Sequence, residues 1–178
     1  MALSQRHNLL DRRIIADESG QAAVEFAFVL TLTLVLLLAI VDFGRALNYM
    51  QVMIGLTREG SNLASRGTSL ADSATAVMVG SAPLDLGANG KVILTSVAKI
   101  NNVNTITGQA SQGGGSFSSK VGLGIGLPAT VPSATATMLQ NGQTIYVTEV
   151  FYSYQPITPI GNFVKMVLPS TLYEAAYF

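Results

Sequence analysis

The most constraining feature of this sequence is an apolar run near its amino terminus, from Ala22 to Val41. Glu25 is the only charged residue within the run, and Thr31 and Thr33 are the only other polar ones. An α-helix rises about 1.5 Å per residue, so about twenty such residues match the roughly 30 Å hydrocarbon core of a bilayer. The run therefore predicts one membrane-spanning helix.

A polar leader, residues 1–19, precedes the run and carries charges of both signs. Secretory signal peptides also place basic residues before an apolar segment, but they are shorter and end in a small-residue cleavage site. Here the leader is long, and Asp42-Phe43-Gly44-Arg45 follows the run. We therefore expect the apolar helix to remain attached to the mature chain.

The helix is expected to continue outward to about Ser65, where Arg66-Gly67 supplies a stop signal. Asp42 and Arg45 lie three residues apart, a spacing at which opposite charges pair on a helix. A helix from Gln21 to Ser65 is roughly 65–70 Å long at about 1.5 Å per residue, with half of it in lipid. Spacings of three and four predict the apolar face of its outward part, which consists of Phe43, Leu47, Met50 and Ile54.

The remaining residues, 67–178, carry signals for one more helix and several strands. The predicted elements are a short helix over Leu70–Gly80 capped by Ser69, a half-buried strand over Lys91–Ile100, a strand over Gln143–Tyr154 and a final strand over Thr171–Phe178. Tyr146, Tyr152 and Tyr154 share one strand face and are expected to form a packed sheet surface. These elements predict an α+β fold, with a small antiparallel sheet packed against the outer half of the long helix.

Turn signals separate these elements. Pro83–Gly90 and Asn141-Gly142 have the composition of turns. The glycine-rich segment Asn101–Gly126 is expected to be a long, mobile loop. Asn162–Leu168 fits no single type of element.

Composition and motifs argue against several classes of function. The formal net charge is zero and the basic residues are scattered, so the sequence lacks the basic patch that nucleic-acid binding requires. Without cysteine there is no thiolate nucleophile and no zinc–sulfur site. Ser96 and Lys99 match an S-x-x-K motif, but an odd offset on a strand sends their side chains to opposite faces. We expect no enzymatic activity, no cofactor and no metal site.

A glycine, Gly20, ends the leader, and Glu25 and Phe26 follow it at the start of the apolar helix. This arrangement resembles the processing and assembly signal of type IV-like prepilins. Together with Asp42-Phe43-Gly44-Arg45 and Thr57-Arg58-Glu59-Gly60, it resembles TadE-like proteins, which are minor pseudopilins of tight-adherence (Tad/Flp) pilus systems. The resemblance covers roughly residues 20–67, and the segment 146–159 adds support.

The resemblance implies a pilin-like fold and a specific processing event. A prepilin peptidase is expected to cleave after Gly20 and leave Gln21 as the new amino terminus, with Glu25 and Phe26 forming the assembly motif. Gln21 departs from the phenylalanine that begins many mature type IV pilins, which favours the Tad branch. The implied regions are a leader (1–20), a transmembrane half-helix (21–41), an outward half-helix (42–66) and a small periplasmic α+β domain (67–178).

The resemblance also implies partners and a location. The expected partners are the peptidase, other minor pseudopilins, the major Flp-type pilin, the inner-membrane assembly platform and membrane lipid. The expected location is the bacterial inner membrane, as a single-pass protein with a cytoplasmic amino terminus, with incorporation into the pilus as a further expectation. The count of Lys and Arg on the two sides of the span is nearly balanced, so the orientation depends on the leader rather than on charge.

Simpler interpretations stay open for the same residues. Gly20 is also the kind of residue that separates a leader from a helix. Glu25 in the first turn of a helix also complements the helix dipole without any partner. The alternative function is a single-span, membrane-anchored periplasmic binding or sensing domain that does not polymerise.

Overall fold

The first element is one long helix. The computed structural model describes residues 3–178, with side chains described from Gly20 onward, so the side chains of the predicted leader lie outside the description. Helix α1 spans Leu3–Ser65, and its predicted end is confirmed. The 46 residues from Gly20 to Ser65 extend about 70 Å at a rise of about 1.5 Å per residue. We refer to residues 20–41 as the inner half and to residues 42–65 as the outer half.

A sheet domain, residues 67–178, follows the helix. Its elements are α2 (Leu70–Val79), α3 (Leu86–Asn89), β1 (Gly90–Ile100), β2 (Val103–Gln112), α4 (Ser133–Met138), β3 (Thr144–Ser153), α5 (Gly161–Val164) and β4 (Thr171–Tyr177). The four strands form one sheet in the order β2-β1-β3-β4, and every neighbouring pair is antiparallel. Ser69 accepts a hydrogen bond from the backbone N–H of Asp72, so the predicted cap of α2 is confirmed. The predicted α+β architecture is confirmed as well.

The outer half of α1 packs on the sheet with a different face from the one that hydropathy predicts. The buried side of the helix comprises Asp42, Ala46, Tyr49, Met53, Leu56, Thr57, Gly60, Ser61 and Ala64. The predicted face is wrong, because Phe43, Leu47 and Met50 are exposed. Small residues decide the packing: a Cβ added at Gly60 would lie 2.8 Å from the Thr148 side chain and 2.9 Å from that of Val77.

The predicted loop over Asn101–Gly126 is wrong in its first half. Strand β2 begins at Val103, and Ile100 pairs with Val103 across a two-residue turn. Asn101 and Asn102 have positive φ angles of 51° and 66°. This geometry is that of a tight hairpin turn, and asparagine is one of the few side chains that tolerate it.

Both faces of β1 are covered, so the prediction of a half-buried strand is wrong as well. Its residues from Val92 to Ala98 are all buried. One face packs on α1 and α2, and on the other Val97 and Val147 contact Val121 from the segment that follows β2. Phe117 from the same segment stacks on Phe151 with a ring separation of 5.4 Å.

A buried carboxylate holds this covering segment in place. Glu149 is completely buried in the middle of β3. It accepts hydrogen bonds from the Ser119 hydroxyl, from the Lys120 backbone N–H at 2.8 Å and from the Tyr173 hydroxyl at 3.0 Å. Because the segment supplies two of these donors, it is anchored to the sheet by specific polar contacts and not only by its apolar side chains.

Candidate functional site

Most of the inner half of α1 is left uncovered by the rest of the described chain. All side chains from Gln21 to Leu37 are exposed, including the large aromatic rings of Phe26 and Phe28. Among the described residues, α1 is the one helix that is long and apolar enough to cross a membrane. An exposed apolar surface of this extent requires lipid or other apolar helices around it.

The four residues of the predicted processing and assembly signal lie at the start of this exposed half. Gly20 is within the helix, and a Cβ added there would meet nothing within 4 Å. The Gln21 side-chain amide donates a hydrogen bond of 3.0 Å to the Glu25 carboxylate one turn later. Phe26 projects outward. The structure thus brings Gln21 and Glu25 together, and the packing of the chain itself does not require a glycine at position 20.

A second polar site lies where the apolar run ends. Asp42 is completely buried, and its carboxylate accepts hydrogen bonds from the Ile157 backbone N–H at 2.9 Å and from the Thr158 hydroxyl at 2.5 Å. The Tyr154 hydroxyl donates to the backbone carbonyl of Asp42 at 2.6 Å. Burial alone would raise the pKa of Asp42, but the hydrogen bonds from Thr158 and Ile157 outweigh it and lower the pKa. Asp42 therefore ties α1 to the chain that follows β3.

No hydrogen bond joins Asp42 and Arg45 in the described structure, although the nearby charge of Arg45 also helps to lower the pKa of Asp42. Arg45 instead donates from Nη2 to the Tyr49 hydroxyl at 2.8 Å, and its guanidinium lies 5.3 Å from the centre of the Tyr49 ring. Tyr49 meets Tyr152 and Tyr154 edge to face, with ring separations of 5.4 and 6.0 Å. The prediction that the strand tyrosines form a packed surface is confirmed for this pair.

Sequence reasoning missed the role of Asp42. Its partners lie 115 and 116 residues further along the chain. The available signal was a carboxylate placed directly after an apolar run, where an unpaired charge is costly and a partner is required. That signal points to a partner somewhere, but it does not say where.

An apolar groove lies beside this polar site. It has a volume of about 710 Å³ and runs between residues 35–47 of α1 and residues 160–168. We call residues 157–168 the boundary segment. Val35, Ala39 and Phe43 line one side, and Phe163 and Val167 line the other. The boundary segment includes the short helix α5, so the residues for which the sequence predicted no single element form a wall of this groove.

Comparison with known protein families gave a match within α1. Residues 20–62 match the family model described as TadE-like protein. The match supports the predicted resemblance of this chain to TadE-like proteins. The TadE-like segment begins at Gly20 and includes Glu25, Asp42 and Gly60, so it takes in the signal residues and most of the packed face of α1. Searches of curated proteins and of solved structures gave no match.

The TadE-like segment joins two surfaces with different environments. Its inner part carries the exposed apolar wall with Gln21 and Glu25, and its outer part carries the stripe that packs on the sheet. Asp42 lies between the two parts. Its partners Ile157 and Thr158 belong to the sheet domain, outside the matched residues.

Proposed function

We propose that this protein is a minor pseudopilin that contributes to the assembly or initiation of a Tad/Flp-type pilus. The TadE-like match associates the chain with Tad pilus systems. The observation that carries the proposal is the division of α1: its outer half bears a folded domain, while its inner half presents apolar side chains on all sides. Such a helix is able to exchange lipid contacts for contacts with the helices of other subunits without unfolding its domain.

Processing after Gly20 is the first step of the proposed function. A prepilin peptidase cleaves the bond between Gly20 and Gln21, and Gln21 becomes the new amino terminus. A peptidase needs an extended backbone, and this bond lies in a helix. Glycine lowers the cost of local unwinding by about 1 kcal/mol relative to alanine and leaves no side chain to obstruct the approach. Since no packing contact requires glycine here, processing supplies a reason for it.

Cleavage also gives Glu25 a partner. The new α-amino group of Gln21 has a pKa of about 8 in unperturbed peptides and is mostly protonated at neutral pH. In the uncleaved chain the amide of Gln21 already lies against the Glu25 carboxylate. In a bundle, Glu25 of one subunit can instead meet the amino group of the next, and such a pairing fixes the axial register of the two helices.

The proposed partners are the prepilin peptidase, other minor pseudopilins, the major Flp-type pilin and the inner-membrane assembly platform. We place the protein in the bacterial inner membrane as a single-pass protein, with its amino terminus in the cytoplasm and the sheet domain in the periplasm. Its role is structural, through contacts between subunits rather than through catalysis.

Determination of the mature amino terminus tests the proposal. The full-length chain is produced with and without the cognate prepilin peptidase, and intact mass is measured because an amino-terminal glutamine can cyclise and block stepwise degradation. We expect the peptidase to remove residues 1–20. Gly20→Phe is expected to block this loss, because its side chain crowds the scissile bond. Gly55→Phe is the matched control, since a Cβ at Gly55 also meets nothing within 4 Å.

Two results would contradict the proposal. A wild-type chain that keeps residues 1–20 beside an active peptidase would favour the alternative, a membrane-anchored periplasmic binding or sensing domain that does not polymerise. Efficient cleavage of the Gly20→Phe variant would show that the glycine has another purpose.

A further inference from the structure

The boundary segment exposes large apolar side chains on the outside of a folded domain. Phe163 is 73 % exposed, Met166 is 83 % exposed and Val167 is 80 % exposed. Three such side chains within five residues form a contiguous patch rather than isolated surface residues. Patches of this kind mark contact with an apolar partner.

The position of the patch along α1 identifies the kind of partner. The boundary segment faces the stretch from Val35 to Leu47, which overlaps the last two turns of the apolar run. Val35 lies about 9 Å before Val41 at a rise of about 1.5 Å per residue. The patch therefore lies level with the end of the membrane-spanning run and not far above it.

The charges around the patch suit the surface of a bilayer. Lys165 is the only charged residue between Glu149 and Glu174, and its side chain is exposed. The carboxylate of Asp42, which is nearest to this level on α1, is buried under Ile157 and Thr158. A lysine beside exposed apolar residues is typical of a segment that lies in a membrane interface, where the ammonium reaches the phosphate groups.

We propose that the boundary segment inserts into the membrane interface on the side of the sheet domain, and that lipid acyl chains fill the groove between it and α1. The groove is continuous with the spanning surface, because Val35, Leu36 and Ala39 belong to both. Lipid that surrounds the span thus reaches the groove without displacing any part of the protein. The hydrogen bonds of Asp42 hold the segment at this level.

A second membrane contact has a consequence for the sheet domain. Because the sheet domain packs on the outer half of α1, a single spanning helix would let the helix and its domain tilt together in the bilayer. With the boundary segment in the interface, this tilt is restricted, and the sheet domain keeps one inclination to the bilayer. This inference needs the membrane span and does not depend on the pilus proposal.

Depth-sensitive fluorescence tests the inference on the full-length chain. The chain has no cysteine, so Phe163→Cys gives a single labelling site for an environment-sensitive nitrobenzoxadiazole probe. The labelled protein is reconstituted in phosphatidylcholine–phosphatidylglycerol vesicles that contain nitroxide-bearing lipid. Leu34→Cys in the span is the positive control. Val79→Cys is the matched negative control, since Val79 is 82 % exposed but belongs to α2, whose Val77 packs beside Gly60 in the outer half.

We expect lipid-borne nitroxide to reduce the fluorescence at position 163 to an extent comparable with position 34, with little reduction at position 79. Met166→Cys is expected to behave in the same way, and it provides a second site if the Phe163 variant folds poorly. Loss of fluorescence to aqueous iodide but not to the lipid nitroxide would overturn the proposal. Protection from both quenchers that disappears when the protein is diluted in lipid would overturn it too, because it would show that a second copy covers the patch.

Discussion

The two halves of α1 belong to one continuous helix but differ in what surrounds them. In the inner half every side chain from Gln21 to Leu37 is exposed, and from Phe28 to Leu38 the sequence consists of large apolar residues and threonine. In the outer half one stripe is buried, and it contains small residues such as Ala46, Gly60 and Ala64. Packing against a rigid sheet requires a close fit at defined positions, whereas contact with fluid lipid requires only apolar surface.

Substitutions in the two halves of α1 are therefore expected to change different properties of the protein. Residues of the buried stripe are expected to affect the free energy of unfolding. Residues of the exposed inner half are expected to leave folding unchanged and to affect contacts with other molecules.

Gly60→Leu is expected to destabilise the sheet domain by about 3 kcal/mol or more, at the upper end of the range for overpacking. Even a Cβ at this position comes within 2.9 Å of the side chains of Thr148 and Val77. Ser61, the next residue, lies 2.9 Å from the Thr148 hydroxyl and donates to the Ala176 carbonyl at 3.0 Å, so a shift of the helix also breaks polar contacts. Chemical denaturation of the full-length chain in detergent, followed by near-ultraviolet circular dichroism of the tyrosines, measures the loss.

The matched control for Gly60 is Gly55→Leu in the same helix. A Cβ at Gly55 meets nothing within 4 Å, and leucine has a higher helix propensity than glycine by up to about 1 kcal/mol. We therefore expect equal or greater stability in this control. Equal effects of the two substitutions would show that the buried stripe is assigned to the wrong face.

Asp42→Asn is expected to lower the free energy of unfolding by about 2 kcal/mol, because hydrogen bonds to charged groups are each worth about 1.5–3 kcal/mol. The neutral amide keeps one acceptor oxygen for the Ile157 N–H, and its NH2 group can pair with the Thr158 hydroxyl only if that hydroxyl turns to accept, so both hydrogen bonds lose the contribution of the charge. Glu59→Gln, an exposed carboxylate in the same half-helix, is the control and is expected to have little effect.

The effect of Asp42 also depends on pH. Its pKa in the folded state is below the ordinary value of 3.8. A carboxyl group with a lowered folded-state pKa stabilises the fold above its unfolded pKa, and this contribution is lost as the pH falls through the folded-state pKa. The wild type is therefore expected to lose stability below about pH 4, while Asp42→Asn loses less over the same range. Parallel stability profiles of wild type and variant in acid would contradict the assigned role.

Local signals account for the parts of the fold that the sequence predicted. The spanning run, the end of α1, the cap at Ser69 and the strands β3 and β4 each depend on residues close in sequence. The packed face of α1 was missed because hydropathy gives little weight to alanine, glycine and serine, although their small size lets the helix approach the sheet. The Asn101-Asn102 turn did carry a local signal, but the surrounding glycines suggested a loop.

The residues of the candidate site also divide into those that a local motif predicts and those that depend on contacts between distant parts of the chain. Gly20, Gln21, Glu25 and Phe26 were identified from a motif, and they make no contact with the sheet domain that periodicity could have predicted. Asp42 and the boundary segment depend on contacts between residues more than 100 positions apart. Such pairings follow from the order of strands in the sheet, which places the end of β3 beside the middle of α1, and a single sequence does not specify that order.

Of these variants, Glu25→Ala has the smallest expected effect on folding, and it tests whether the exposed inner half of α1 makes a specific charge pair. Because Glu25 is exposed and its only hydrogen bond in the described structure comes from Gln21, we expect a change in unfolding free energy within about 0.5 kcal/mol. Membrane insertion is expected to remain intact or improve, since a charge deep in a bilayer costs roughly 2.5–3.5 kcal/mol and a position near its edge costs less. Cleavage after Gly20 is expected to continue, because the scissile bond is five residues away.

Under the proposed assembly, incorporation into the pilus complex is expected to fall in Glu25→Ala, because the amino group of a neighbouring subunit would be left in an apolar environment without its counter-charge. Glu59→Ala is the matched control, because it removes an exposed carboxylate from the outer half of the same helix, which lies beyond the apolar run. Pilus formation and co-purification with the major pilin are measured in strains that carry each variant. If Glu25→Ala supports both at the level of Glu59→Ala, then Glu25 is only a carboxylate at a helix end, and the exposed inner half contributes apolar surface without a specific charge pair.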